Sequence, residues 1–127
     1  MNITLKNLHE ATEYDVIKQV GTHLLRQGTQ SLSVDGMCMY RGERGRRCAA
    51  GCLISDGEYD SAFEFQSWEG LVVVGKVPSA HEKLIYKLQC IHDTEYAKNW
   101  PECLRHLCDE RGLGSNWVDE VLNEHHT

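Results

Sequence analysis

The sequence contains no run of apolar residues long enough to cross a membrane. Residues 1–20 also lack the apolar core and the small-residue cleavage site of a signal peptide. Both absences predict a protein that works in a reducing compartment, the cytoplasm. The six cysteines are therefore expected to be free thiols rather than partners in a disulfide framework.

Basic residues are in the minority as well. The 13 lysines and arginines stand against 19 aspartates and glutamates, which gives a formal net charge of −6. General nucleic-acid binding needs a basic face, so this balance argues against it. The sequence also has no internal repeat, low-complexity tract or linker. We therefore expect one domain spanning residues 1–127, with flexible ends at 1–11 and 123–127.

Chemically active side chains are concentrated in residues 37–59, which contain three of the six cysteines and four arginines. Turn-forming residues 42–45 separate two arms, and the second arm enters the small, apolar segment 48–54. This pattern predicts a β-hairpin in which Cys38 and Cys48 lie opposite each other. The alternative is a short helix over 48–54 with Cys48 at its start, where the helix dipole favours a thiolate.

The first helix is predicted from the residues at its two ends. Thr12 and Asp15 form a capping-box pattern, apolar residues follow at helical spacing over 16–25, and Gly28 supplies a stop. Residues 31–34 then alternate in polarity, which predicts a short strand leading to the hairpin.

Further helices are predicted in the second half of the chain. Residues 79–82 form another capping-box pattern, and Pro101 lies in the first turn of a helix that ends before Gly112. Ser115 is expected to cap a short last helix. Residues 68–75 fit either a buried strand or a short capped helix, and we favour the helix.

Together these elements predict an α+β fold. A small antiparallel sheet of two to three short strands, with the β-hairpin at its centre, is flanked by four to five helices. We expect Trp68, Trp100 and Trp117 in the core rather than in a ligand cage.

Three runs form a distinctive set: residues 38–42 (CMYRG), 48–54 (CAAGCLI) and 88–93 (LQCIHD). Together they resemble a group of small proteins of tailed phages and prophages. The shared pattern is C-x-Y-R-G, then C-A-x-G-x-L-I, and later L-Q-x-I-H-D before a Trp-containing helix. The resemblance covers residues 12–112 and implies a viral origin and a role inside the infected bacterium. It implies no particular activity, substrate or partner.

A structural zinc site is one hypothesis for the cysteines. Cys48 and Cys52 have C-x3-C spacing, Cys38 lies across the predicted hairpin, and His92 or Cys90 supplies a fourth ligand. Zinc prefers tetrahedral thiolate and imidazole donors. The alternative is that these thiols pack as small apolar side chains.

A cysteine-dependent hydrolase is a second hypothesis. Cys48 would be the nucleophile, His92 the base, and Asp93 or Asn99 the group that orients the base. The alternative is that His92 ends a helix, where a histidine interacts favourably with the dipole.

The arginines suggest a third hypothesis. Arg41, Arg44, Arg46 and Arg47 form a local positive patch in an acidic protein, and guanidinium groups suit bidentate binding of phosphate or carboxylate. Tyr40 is placed to stack on a base or ring. The target would be a nucleotide-like small molecule, a stretch of nucleic acid or an acidic face of a host protein. The alternative is a solvated turn paired with nearby carboxylates.

We favour binding over catalysis. The sequence suggests a small phage-encoded protein of the host bacterial cytoplasm, which inhibits a host factor or sequesters a nucleotide-like defence signal. Its contact would run through residues 41–47. An enzyme and a zinc module remain the alternatives. The sequence does not indicate the oligomeric state; a homodimer is considered because such dimers are common among small binding proteins.

Overall fold

Five α-helices form the frame of the structure, a computed structural model that describes residues 2–124. They are α1 (Glu13–Gln27), α2 (Trp68–Val73), α3 (Glu82–Thr94), α4 (Trp100–Glu110) and α5 (Asn116–Asn123). Single turns of 3-10 helix lie at Leu8–Glu10, Gly51–Leu53, Ser61–Phe63 and Ala97–Asn99. Glu43–Gly45 is a tight turn with positive φ at Arg44 and Gly45. None of the described helices combines the length and the apolar character that crossing a membrane requires.

The ends of α1 confirm its prediction. Thr12 accepts a hydrogen bond from the backbone of Asp15, and the Asp15 side chain accepts one from the Thr12 backbone, which completes the capping box. Gly28 ends the helix in the left-handed conformation, with φ of 72°. Local signals therefore determine both limits of this helix.

The later helices are also found, although their caps differ from the prediction. Ser67 caps α2 by accepting a hydrogen bond from the backbone of Gly70. At α3 the capping box predicted for residues 79–82 is not formed, because the helix starts after His81, which adopts a left-handed φ of 58° and caps through no side chain. Ser115 lies at the cap position of α5 but makes no side-chain cap bond.

The core is built around α1, which packs against α3, α4 and α5. Gly21 permits the close approach of α5, since a Cβ at this position would lie 2.3 Å from a ring carbon of Trp117. Trp68, Trp100 and Trp117 are all buried, as expected. Packing on one side of α1 leaves its polar face at the surface.

The predicted sheet is absent from residues 2–124, so the α+β prediction is wrong and the fold is α-helical. The strand-like pairings within this range are two isolated bridges, Leu32 with Cys38 and Arg41 with Arg47.

Side chains form the hydrogen bonds to main-chain groups that neighbouring strands would form in a sheet. Glu64 accepts hydrogen bonds from the backbone N–H groups of Tyr40 and Arg41, at 2.9 and 3.1 Å. Gln27 accepts from the backbone N–H of Arg47 at 2.8 Å and donates to its carbonyl at 2.9 Å. Buried peptide groups need partners, and these side chains supply them without a strand ladder.

The predicted pairing of Cys38 with Cys48 is wrong too. Cys38 pairs with an earlier residue, whereas Cys48 precedes the single turn Gly51–Leu53 and its Sγ accepts a hydrogen bond from the Gly51 N–H at 3.3 Å. The alternative, a short helical segment beginning near Cys48, is closer to the structure. Gly51 is needed because a Cβ there would lie 2.2 Å from the carbonyl oxygen of Tyr40.

The amino-terminal segment is attached to α1. Ile3 and Leu8 are buried, and the side chain of Gln19 binds both the N–H and the carbonyl of Ile3, at 2.7 and 2.8 Å. Residues 1–11 and 123–127 are the predicted flexible ends; of these, residues 1 and 125–127 lie outside the described residues.

Candidate functional site

The arginine-rich segment forms a tight loop. Arg44 and Gly45 both have positive φ, 60° and 72°, and the N–H of Arg46 donates to the carbonyl of Glu43 at 3.2 Å. Positive φ at both central residues is typical of the turns that join closely paired chains. The loop therefore presents Arg44, an exposed residue, at its tip.

Two side chains of α1 hold this loop in place. Gln27 binds the peptide groups of Arg47, and His23 donates its Nε2–H to the Arg47 carbonyl at 2.8 Å. Burial lowers the pKa of His23, and the nearby positive charge of Arg47 lowers it further, so the ring is neutral near pH 7. The spacing between the loop and α1 is therefore fixed by hydrogen bonds.

An open groove of about 960 Å³ lies between the loop and the polar face of α1. One wall is the face of α1 between Asp15 and Gln27, the other is residues 44–47, and Asn2 and Cys52 complete the lining. At 1.5 Å per residue, the α1 wall is about 18 Å long. The lining residues of α1 are thus spread over about three turns of the helix.

The groove is basic although the protein is acidic. Among the described residues, five lysine or arginine side chains line it, against one acidic residue, Asp15; the basic ones are Lys18, Arg26, Arg44, Arg46 and Arg47. Carboxylates outside the groove neutralise part of this charge. Arg26 is bound by both oxygens of Glu124, at 2.7 and 3.0 Å, and Arg47 lies 3.0 Å from an oxygen of Asp56.

The remaining cations are available to a ligand. Lys18, Arg44 and Arg46 form no ion pair with any residue between 2 and 124. Two of these side chains lie on the loop and one lies on α1. Unpaired positive charge therefore faces the groove from both walls.

Tyr40 and Arg41, also predicted to bind, lie outside the groove. Arg41 contacts Asp56 at 2.8 Å, donates to the carbonyl of Ile54 and stacks over the ring of Tyr59, 4.4 Å from its centroid. Tyr40 is buried and donates its hydroxyl to a backbone carbonyl at 2.6 Å. Both side chains are committed to internal contacts.

The α1 wall was not predicted to take part in binding. Its residues were visible in the sequence only as the polar positions of an amphipathic helix, at the spacing of Lys18, Thr22 and Arg26. Such positions are usually solvated. Their importance here arises from the loop that packs beside them, which is a tertiary contact.

Cys48 and His92, the residues of the hydrolase hypothesis, are both buried. Burial raises the pKa of Cys48 to about 12, which disfavours the thiolate. His92 accepts a hydrogen bond from the Ser31 N–H at Nε2, 2.9 Å away, and donates from Nδ1 to Asp93 at 2.7 Å. Because both ring nitrogens are occupied, His92 has no free lone pair with which to deprotonate a thiol.

The zinc hypothesis meets a related difficulty. In the part of the chain that the structure describes, the ligand atoms that lie together, within 4.8 Å of one another, belong to Cys38, His92 and Asp93. This group does not include Cys48 or Cys52. A metal at Nδ1 of His92 would move the ring proton to Nε2, where it would face the N–H of Ser31. The geometry therefore gives this group a hydrogen-bonding role.

Comparison of the chain with protein families, with curated proteins and with solved structures finds no match. Function is therefore inferred from the chemistry of the groove.

Proposed function

We propose that this chain is a stoichiometric binding protein that holds an anionic ligand in the groove between α1 and residues 44–47. The observation that carries the proposal is the unpaired charge of Lys18, Arg44 and Arg46 in the lining of one groove, in a protein of net charge −6. Guanidinium groups bind carboxylate and phosphate through charge-assisted hydrogen bonds, which are stronger than neutral ones.

Binding is favoured over catalysis by the state of the reactive groups near the groove. His23 donates to the carbonyl of Arg47, and the thiol of Cys52 donates to the carbonyl of Ala49 at 3.2 Å. Burial raises the pKa of Cys52, so its thiol is a poor nucleophile. The lining thus offers charges that attract an anion but no activated nucleophile.

The proposed setting is the cytoplasm of an infected bacterium, where the protein would inhibit a host factor or sequester a nucleotide-like defence signal. The support is the resemblance of residues 38–54 and 88–93 to small phage proteins, together with the small size of the chain. Stoichiometric binding suits such a protein because it needs no catalytic apparatus.

The proposal is tested by isothermal titration with ATP, pyrophosphate and an acidic peptide. We expect at least one of these anions to bind the unaltered protein and to bind Arg44→Asn/Arg46→Gln at least about tenfold more weakly, a loss of about 1.4 kcal/mol. The matched control is Lys83→Gln/Lys98→Gln, which changes the net charge equally at exposed positions outside the groove. Equal affinities for the two double variants would refute the proposal.

A further inference from the structure

The shape of the groove restricts its occupant. Its α1 wall is about 18 Å long at 1.5 Å per residue, and an extended chain advances about 3.3 Å per residue. A segment of about five extended residues therefore matches the wall from Asp15 to Gln27. A mononucleotide or an inorganic phosphate would occupy only part of this length.

The lining provides little for a nucleotide base. None of the lining residues between 2 and 124 is a phenylalanine, tyrosine or tryptophan. Tyr40, the aromatic residue closest in sequence to the loop, is buried with its hydroxyl bound to the carbonyl of Gln66. Stacking of a base on an aromatic ring contributes about 1–3 kcal/mol in nucleic-acid-binding proteins, and that contribution is missing here.

The charge is arranged along the length of the groove. Lys18 and Arg26 lie eight positions apart on α1, with Thr22 midway between them, so all three follow one face of the helix. Arg44 and Arg46 face them from the loop. Because Glu124 already binds Arg26, the unpaired cations are Lys18 on one wall and Arg44 and Arg46 on the other. Separated cations of this kind are complementary to carboxylates spaced along a chain, rather than to one compact cluster of negative charge.

The two ends of the groove also differ in charge. The loop is attached at the carboxyl-terminal end of α1, through Gln27 and His23, whereas Asp15 lies in the first turn of the helix. The unpaired arginines of the loop therefore lie towards the carboxyl-terminal end of α1, whereas Lys18 and Asp15, the one carboxylate among the described lining residues, lie towards the other end.

Resting on the proposed function, we infer that the occupant of the groove is an extended acidic segment of a partner protein, about five residues long. Its carboxylates contact Lys18 on one side and Arg44 and Arg46 on the other. The most acidic part of the segment lies next to the loop.

The experiment uses a fluorescein-labelled peptide of alternating glutamate and aspartate, about five residues long to match the wall, and measures binding by fluorescence anisotropy. A peptide of the same length with glutamine and asparagine in place of the acids is the matched control ligand. We expect the acidic peptide to bind and the control peptide not to bind. Arg44→Asn/Arg46→Gln should weaken it at least about tenfold, while Lys83→Gln/Lys98→Gln should leave it unchanged.

The variant is chosen so that it folds. Asparagine tolerates the left-handed conformation that Arg44 adopts, with φ of 60° and ψ of 30°. A urea unfolding curve of the double variant that matches the unaltered protein shows that any loss of binding reflects the missing charges.

The dependence of affinity on peptide length gives a second readout, which distinguishes the groove from non-specific electrostatic binding to a basic surface. Affinity should rise as the acidic peptide is lengthened to about five residues, and should change little beyond that length, because the wall is then filled. A continued steep rise at greater lengths would overturn the groove as the site.

The outcomes separate this inference from the proposed function. If ATP or pyrophosphate binds in a manner that depends on Arg44 and Arg46 while the acidic peptide does not, the inferred partner is wrong and the anion-binding function stands. If no probe depends on these two arginines, both are wrong.

Discussion

The thiol of Cys48 lies inside the turn that follows it and accepts a hydrogen bond from Gly51. Burial raises its pKa to about 12, and only the thiolate reacts rapidly with alkylating reagents. We therefore expect iodoacetamide at about pH 8 to leave Cys48 unmodified in the folded protein and to modify it in urea. Mass spectrometry of tryptic peptides measures both states. Rapid modification of the folded protein would instead revive the hydrolase hypothesis.

His23 couples the attachment of the loop to pH. Burial lowers its pKa below the ordinary value of 6.5, so near and below that value the unfolded chain binds the proton more readily than the folded protein. The contribution of neutral His23 to the free energy of unfolding is accordingly complete above about pH 6.5. It decreases as the pH falls towards the lower pKa of the folded state.

Replacing His23 by glutamine should reduce this pH dependence, because glutamine can donate to the carbonyl of Arg47 but does not titrate. Urea midpoints at about pH 7.5 and about pH 5.5 measure the difference. His106→Gln, at an exposed position on α4, should show the same change in urea midpoint between the two pH values as the unaltered protein. If His23→Gln kept the full change in urea midpoint, His23 would not be the source of the pH dependence.

The turn Gly51–Leu53 packs directly on the backbone of Tyr40, next to the arginine-rich loop. Gly51→Ala would place a Cβ 2.2 Å from the Tyr40 carbonyl oxygen, and backbone cannot yield as a flexible side chain does. We expect the free energy of unfolding to fall by about 3 kcal/mol. Gly57→Ala, where nothing lies within 4 Å, should change it by less than about 0.5 kcal/mol. Urea denaturation compares the two, and equal losses would refute the packing argument.

Helices were more predictable than the segments between them. The capping box at Thr12 and the stop at Gly28 are short-range signals, and the structure reproduces them. The sheet was predicted wrongly because its peptide groups bind distant side chains: Glu64 binds the N–H of Tyr40, 24 positions away, and Gln27 binds that of Arg47, 20 positions away. Alternation in sequence does not reveal such acceptors.

Of the two walls of the candidate site, the sequence predicted the arginine loop but not the face of α1, because the role of that face depends on a tertiary contact. Residues 44–47 were visible as a cluster of arginines, and the structure places them on the groove. Lys18 and Arg26 were hidden on an ordinary polar helix face, since their role depends on the loop that packs beside them. Arg41 belonged to the same cluster, but its contacts with Asp56 and Tyr59 direct it elsewhere.

A basic groove on an acidic protein should make binding sensitive to salt. The Debye length falls from about 10 Å at 0.1 M salt to about 3 Å at 1 M, so affinity for the acidic peptide should fall at least about tenfold over that range. The double variant Arg44→Asn/Arg46→Gln should show a shallower dependence, because fewer charges take part. Anisotropy titrations at several salt concentrations measure this, and affinity independent of salt would indicate an apolar contact instead.

The hydrogen bonds from Gln27 and His23 to Arg47 also bear on the timing of recognition. Because they hold the two walls at a fixed separation, no opening step precedes entry of a ligand. Association should then be a single second-order event, with an observed rate that rises linearly with ligand concentration and reaches no plateau. Under the proposed function, such a protein would capture its target at the first productive encounter. The abundance of the two molecules, rather than a slow rearrangement, would then set how quickly the target is removed.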